Sequence, residues 1–110
     1  ALCGNDAWTL PLMAIGASGV ISVVSGVAPK DMVALCAAAL AGDFAKARKF
    51  HYKLLPLIAG MELETNPAPV KTALSMMGKA RPELRSPLAP LSKENEGKLR
   101  AALKAYKLLK

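Results

Sequence analysis

The sequence predicts an α/β fold in which the last units of a β/α barrel are followed by a helical C-terminal segment. Three observations predict it. Val20-Ile21-Ser22-Val23-Val24 is β-branched at four of five positions and almost free of polar side chains, as in a strand of a parallel sheet buried on both faces. A short apolar helical pattern precedes this run and a longer one comes after it, the order of a strand–helix–strand crossover unit. Beyond residue 42 the pattern is helical throughout. One strand and the end of another do not make a stable sheet. Residues 1–41 therefore read as the last units of a β/α barrel and residues 42–110 as a helical extension.

Ala1-Leu2-Cys3 reads as the end of a strand, and the abrupt opening suggests a piece of a longer protein. No basic segment precedes an apolar run there, so no signal peptide is expected. Gly4-Asn5-Asp6 is a turn in which Asn5 or Asp6 can cap a helix over residues 7–15, stopped by Gly16. After the strand at 20–24, Ser25 to Pro29 forms a loop, and Pro29 suits the first turn of a helix running to Ala41. Its apolar stripe is Met32, Val33, Leu35, Cys36, Ala39 and Leu40. Asp43 caps a helix from Phe44 to about Gly60 that carries Ala47, Phe50, Leu54, Leu57 and Ile58 at helical spacing, with Pro56 a candidate kink. Asn66 can cap a further helix ending at Gly78. Pro82, Pro87 and Pro90 make residues 79–91 extended. Ser92 caps a last helix from Lys93 to about Tyr106, with Leu99, Ala102, Leu103 and Tyr106 on its apolar face.

Composition narrows the function. A chain of 110 residues allows one small domain, and its 53% hydrophobic share argues against disorder. No apolar stretch is long enough to span a membrane. The formal charge of +7 is uneven: residues 1–44 carry a net −2 and residues 79–110 a net +6. Those cations are dispersed over a helical pattern with little aromatic interleaving, so a solvated helix face is expected rather than a nucleic-acid footprint. Cys3 and Cys36 make neither a disulfide framework nor a metal site and read as small buried thiols in a reducing compartment.

Few residues offer chemistry. His51, the single histidine, lies in a helical pattern beside Tyr52 and reads as structural or solvated. Asp6 stands where barrel active sites gather, although a helix cap explains it as well. Asp43 is a cap. Glu62 and Glu64 have neither helical nor metal-ligand spacing. Lys30 and Lys71 have no apolar strand flank to desolvate an amine and read as surface groups or local ion-pair partners. Gly16-Ala17-Ser18-Gly19 lacks the downstream lysine of a nucleotide site. In a β/α barrel, the Gly4-Asn5-Asp6 turn and the Gly26 loop both lie on the ligand face. Gly4 allows close backbone approach there, and Ile21, pointing inward, would be either an apolar pocket wall or a barrel-core residue.

Four segments then stand in order: Leu2-Cys3-Gly4-Asn5-Asp6, Gly19-Val20-Ile21-Ser22-Val23, Glu64-Thr65-Asn66-Pro67-Ala68-Pro69-Val70-Lys71 and Leu84-Arg85-Ser86-Pro87-Leu88-Ala89-Pro90-Leu91. Together they resemble the C-terminal part of the dihydrodipicolinate synthase (4-hydroxy-tetrahydrodipicolinate synthase) family, whose wider group includes N-acetylneuraminate lyase and other pyruvate-dependent aldolases. The resemblance implies a (β/α)8 TIM barrel, with residues 1–3 ending strand seven, 20–24 forming strand eight and a helical C-terminal subdomain beyond. It implies a lyase of lysine and diaminopimelate biosynthesis that condenses pyruvate with aspartate semialdehyde through a lysine Schiff base. It implies no cofactor or metal, a cytoplasmic homo-oligomer, commonly a tetramer, and no nucleic-acid or membrane partner. The reactive lysine, the catalytic tyrosines and the entrance arginine of the family belong to earlier strands, so no catalytic residue is expected within these 110. Gly4 and Ile21 match residues lining the pyruvate pocket, and Asn5 and Asp6 match the polar pair behind it. Ser86 stands where the family often has leucine, and Gly16-Ala17 where two glycines are frequent. Other readings are another aldolase of the group, a neuraminate lyase or a 2-keto-3-deoxy-sugar aldolase, and a non-enzymatic helical binding module.

Overall fold

The computed structural model describes residues 1–79 and 91–109. It forms two compact units, Ala1–Ile58 and Ala59–Lys110. The element order is a 3₁₀ turn (Asp6–Trp8), α1 (Thr9–Ala14), a second 3₁₀ turn (Val24–Gly26), α2 (Pro29–Leu40), α3 (Phe44–Met61), α4 (Ala68–Met76) and α5 (Lys93–Ala105). The expected extended segment with Pro82, Pro87 and Pro90, and most of the Leu84–Leu91 motif, lie outside the described residues.

In the first unit, α1 packs on α2, and α2 packs on the Val24–Gly26 turn. Buried side chains include Leu10 and Met13 of α1, Val24 of the turn and Val27 just after it, Met32, Leu35, Ala38 and Ala39 of α2, and Ala47, Leu54, Leu57 and Ile58 of α3. Spacings of three and four residues put these groups on one face of each helix. Val33 and Leu40, placed by sequence on the apolar stripe of α2, are instead exposed at 67% and 66%. The stripe assigned from sequence was wider than the face that packs. Asp43 caps α3 as expected, its Oδ1 accepting from the Lys46 backbone N–H at 3.1 Å. Pro56 lies inside α3.

In the second unit α4 packs on α5, with Ala73, Leu99 and Leu103 fully buried. Gly60 has a packing reason for lacking a side chain. A Cβ there would meet Leu99 Cδ1 at 3.4 Å and Ala102 Cβ at 3.6 Å. Ser92 caps α5, accepting from the Asn95 N–H at 3.2 Å. The lysines and arginine of α5 face solvent, with Lys98–Glu94 and Arg100–Glu96 forming i,i+4 ion pairs. Asn66 does not cap α4. The N-cap position falls to Pro67, which has no side-chain acceptor, and the Asn66–Pro67 peptide is cis.

The expected strand at 20–24 is not formed, and among the described residues the parallel pairing is a single bridge between Cys3 and Val20. The physical reason is a competing acceptor. The Val23 and Val24 N–H groups, needed to extend a ladder, donate to the Asp6 carboxylate instead. The chain then closes into the Val24–Gly26 turn, with Val27 N bonded to Val24 O at 3.0 Å.

Candidate functional site

The four residues singled out from sequence, Gly4, Asn5, Asp6 and Ile21, gather around that bridge. Cys3 N donates to Gly19 O at 2.9 Å and Ile21 N donates to Cys3 O at 2.8 Å. Gly4 and Ile21 are therefore the next residues along two parallel segments. Both are exposed, and a Cβ on Gly4 would meet nothing within 4 Å. Ile21 does not point into a packed interior as expected, for its side chain is 71% exposed. With one bridge and no further strand among the described residues, nothing lies over it.

Gly4 is held by the two residues after it, Asn5 and Asp6. The Asn5 carbonyl accepts from Cys3 Sγ at 2.9 Å, Trp8 N at 3.1 Å and Thr9 Oγ1 at 3.4 Å. Its side-chain Oδ1 caps the first turn by accepting from Ala7 N at 3.0 Å. Of the two capping candidates, Asn5 is therefore the cap and Asp6 is not. Asp6 is buried, and it reaches across to the second segment. Its Oδ2 accepts from Val23 N at 3.1 Å and Val24 N at 2.9 Å, and its Oδ1 accepts from the Ser22 hydroxyl. Ser22 Oγ in turn accepts from Ser25 N at 3.0 Å. One carboxylate thus satisfies backbone donors that the 3₁₀ turn would leave orphaned. Ser22 was not singled out from sequence. Its signal was available as the one hydroxyl within an otherwise apolar run.

The remaining candidates do not join this cluster. Cys3 is buried and Cys36 half-buried, and burial pushes the Cys36 thiol pKa up. Glu62 is exposed, while Glu64 binds the start of α5 through Ser92 and Asn95. Lys30 lies in the first turn of α2 and Lys71 within α4. His51 lines a cleft of about 370 Å³, with Leu10, Pro11 and Ala14 on one side and Phe44, Arg48 and Tyr52 on the other. Burial lowers the His51 pKa, and its Nδ1 is buried without a partner among the described residues. Among those residues no three His, Cys, Asp or Glu side chains converge on a metal position. No described helix is long and apolar enough to cross a membrane.

Two parallel segments whose C-terminal ends open into glycine-bearing, hydrogen-bonded turns form the ligand-bearing edge of α/β proteins. The chain belongs to the dihydrodipicolinate synthetase family, which it matches over residues 1–106. It is 52% identical over 108 residues to 4-hydroxy-tetrahydrodipicolinate synthase of Geotalea daltonii, covering 98% of this chain and 37% of that protein. The crystal structure of dihydrodipicolinate synthase from Aquifex aeolicus superposes with a TM-score of 0.96 at 52% identity, over 97% of this chain and 36% of that one. The chloride-inhibited dihydrodipicolinate synthase from Acinetobacter baumannii, solved in complex with pyruvate, superposes at 0.94 with 39% identity, over 98% of this chain and 37% of that one. The chain therefore spans little more than a third of the length of these relatives.

Proposed function

We propose that the chain is the C-terminal part of a 4-hydroxy-tetrahydrodipicolinate synthase, which condenses pyruvate with aspartate semialdehyde through a lysine Schiff base. On this reading residues 1–41 are the last units of a (β/α)8 barrel, and residues 42–110 are its helical extension. The parent is a cytoplasmic homo-oligomer that needs no cofactor. The observation that carries the proposal is the family match across nearly the whole chain, joined to the position of Gly4 and Ile21 on one edge of the Cys3–Val20 bridge. The exposed Leu2 and Ile21, at 61% and 71%, are the side chains that neighbouring barrel strands would cover.

The chemistry divides between the chain and the rest of the parent. A Schiff base needs an amine held unprotonated in a shielded site. The sequence has no lysine before Lys30, so none stands on the two segments flanking the bridge. The imine-forming lysine is therefore assigned to the parent's other strands. This chain supplies backbone and an apolar surface: Gly4 lets the pyruvate approach the main chain closely, and Ile21 walls the site against water.

The test uses the full-length parent. Expected are turnover of pyruvate with aspartate semialdehyde and borohydride trapping of a pyruvate adduct on a lysine outside these residues. The 110-residue chain alone is expected to be inert. Cleavage of N-acetylneuraminate or a 2-keto-3-deoxy sugar in place of the condensation would move the parent to another aldolase. Cooperative denaturant unfolding of the isolated chain, monitored by circular dichroism, together with no pyruvate chemistry in the parent, would favour a binding module.

A further inference from the structure

We propose that Asp6 is the positioning residue of the pyruvate site, acting through Ser22 to set the spacing between Gly4 and Ile21. This deepens the functional reading above and rests on it. Gly4 and Ile21 present no side-chain contact that would hold them together: one has no side chain and the other is largely exposed. Their spacing is therefore set by the groups that tie the two segments to each other. On the near side the ties are backbone bonds, from Ser18 N to Ala1 O at 2.8 Å, Cys3 N to Gly19 O and Ile21 N to Cys3 O. On the far side the tie is a single side chain. Asp6 lies two residues after Gly4, and it binds Ser22, Val23 and Val24, the three residues directly after Ile21.

The chemistry of the tie is specific. Both carboxylate oxygens are used, one for two N–H donors and the other for a hydroxyl. Because the Ser22 hydroxyl donates to Asp6, a lone pair on Ser22 Oγ is left for Ser25 N. The carboxylate thus orders the loop from Ser22 through Ser25 as well as the residues it touches. Burial strengthens such charge-assisted bonds and makes their loss costly. A shift of the Ile21 backbone relative to Gly4 would misplace two walls of one small-molecule site at once.

The experiment compares Asp6→Ala, Asp6→Asn and Ser22→Ala in the full-length enzyme with Leu54→Ala, a fully buried core position on α3. All are assayed well below their unfolding temperatures. Positional errors of a fraction of an ångström to 1 Å are felt as one to two orders of magnitude, so Asp6→Ala should raise the KM for pyruvate about tenfold or more. The KM for aspartate semialdehyde should move much less. Asp6→Asn keeps an oxygen for Val23 and Val24 and should recover most of the loss, with Ser22→Ala between the two. Leu54→Ala should lower the unfolding temperature and leave both KM values in place.

An unchanged pyruvate KM in Asp6→Ala, or an equal rise in Leu54→Ala, overturns the inference. Should Asp6→Ala fail to fold, wild-type pyruvate KM values in both Asp6→Asn and Ser22→Ala overturn it. If the wild-type parent itself does not process pyruvate, the functional reading fails first. That outcome is seen in the wild-type arm and overturns both.

Discussion

Glu64 holds Asn95: its Oε2 accepts from Asn95 Nδ2 at 2.8 Å and from the Ser92 backbone N–H at 3.0 Å, joining the α3–α4 connection to the first turn of α5. Ser92 already caps Asn95 N, so the carboxylate satisfies a further backbone donor at a helix start and lies at the positive end of the helix dipole. The Asn95 side chain and then the Ser92 backbone hold the Glu64 carboxyl below the usual glutamate range. A carboxyl with a depressed folded-state pKa adds stability above its unfolded pKa and loses it as pH falls through the folded one. Glu64→Gln should therefore weaken the start of α5 at neutral pH, and the difference from wild type should shrink under acid. Amide exchange at Ser92 and Asn95, monitored between neutral and acid pH, reads this directly. Equal protection in the two proteins at neutral pH would refute it.

Lys107 carries a backbone strain that three glycines avoid. Gly16, Gly42 and Gly78 sit at positive φ just after α1, α2 and α4, and Lys107 takes the same place after α5 with φ 65°. The hydrogen bonds repeat as well: Leu108 N bonds to Leu103 O at 2.9 Å, as Asp43 N bonds to Ala38 O at 2.8 Å. A side chain in this conformation costs roughly 1 kcal/mol relative to glycine. Lys107→Gly should stabilise the full-length protein by about that amount, less the share that the more flexible unfolded chain takes back. Urea unfolding of the two proteins measures the difference, and a destabilised variant would contradict it.

Leu35 and Val33 separate the part of α2 that packs from the part that does not. Leu35 is 1% exposed and Val33 67%. Leu35→Ala should cost about 3 kcal/mol through lost burial and a residual cavity. Val33→Ala should change stability by under about 0.5 kcal/mol, since an exposed helix position gains in propensity what it loses in contact. Comparable losses at both sites in thermal melts of the full-length protein would show that Val33 is covered there.

The helices were legible because their signals are local. Asp43 and Ser92 cap where expected, and the periodic apolar residues Leu54, Leu57, Leu99 and Leu103 are buried. The apolar pattern at 20–24 reports burial by neighbours, whereas the backbone conformation depends on where each N–H goes. The Asp6 carboxylate competes for those of Val23 and Val24, and a contact across seventeen residues leaves no periodic trace. Asn5 and Asp6 were equivalent as caps by residue type. The structure distinguishes them because only Asn5 is placed to receive Ala7 N, while Asp6 turns inward. Ile21 was placed by its resemblance to a pocket residue, and its exposure in this chain comes from the single bridge beside it.

His51 is expected to resist protonation. It sits in α3 with its ring edge-on to Tyr52, centroids 5.4 Å apart, and its Nδ1 has no hydrogen-bond partner among the described residues. Burial lowers its pKa from the ordinary imidazole value, because the charged ring would lose hydration without gaining an acceptor. The folded state therefore binds fewer protons than the unfolded state through the histidine range. Stability rises with pH there, and as pH falls it declines from the unfolded pKa down to the depressed folded one. His51→Leu removes both the titrating ring and the unpaired nitrogen. It should stabilise the full-length protein by about 1 kcal/mol at neutral pH, and by more on the acid side, where wild type must charge the ring or unfold. Thermal midpoints of the two proteins across the histidine range decide the matter. Parallel curves would mean that folding leaves proton binding by His51 unchanged, and convergence toward acid would mean that folding favours the charged ring; either outcome refutes the prediction.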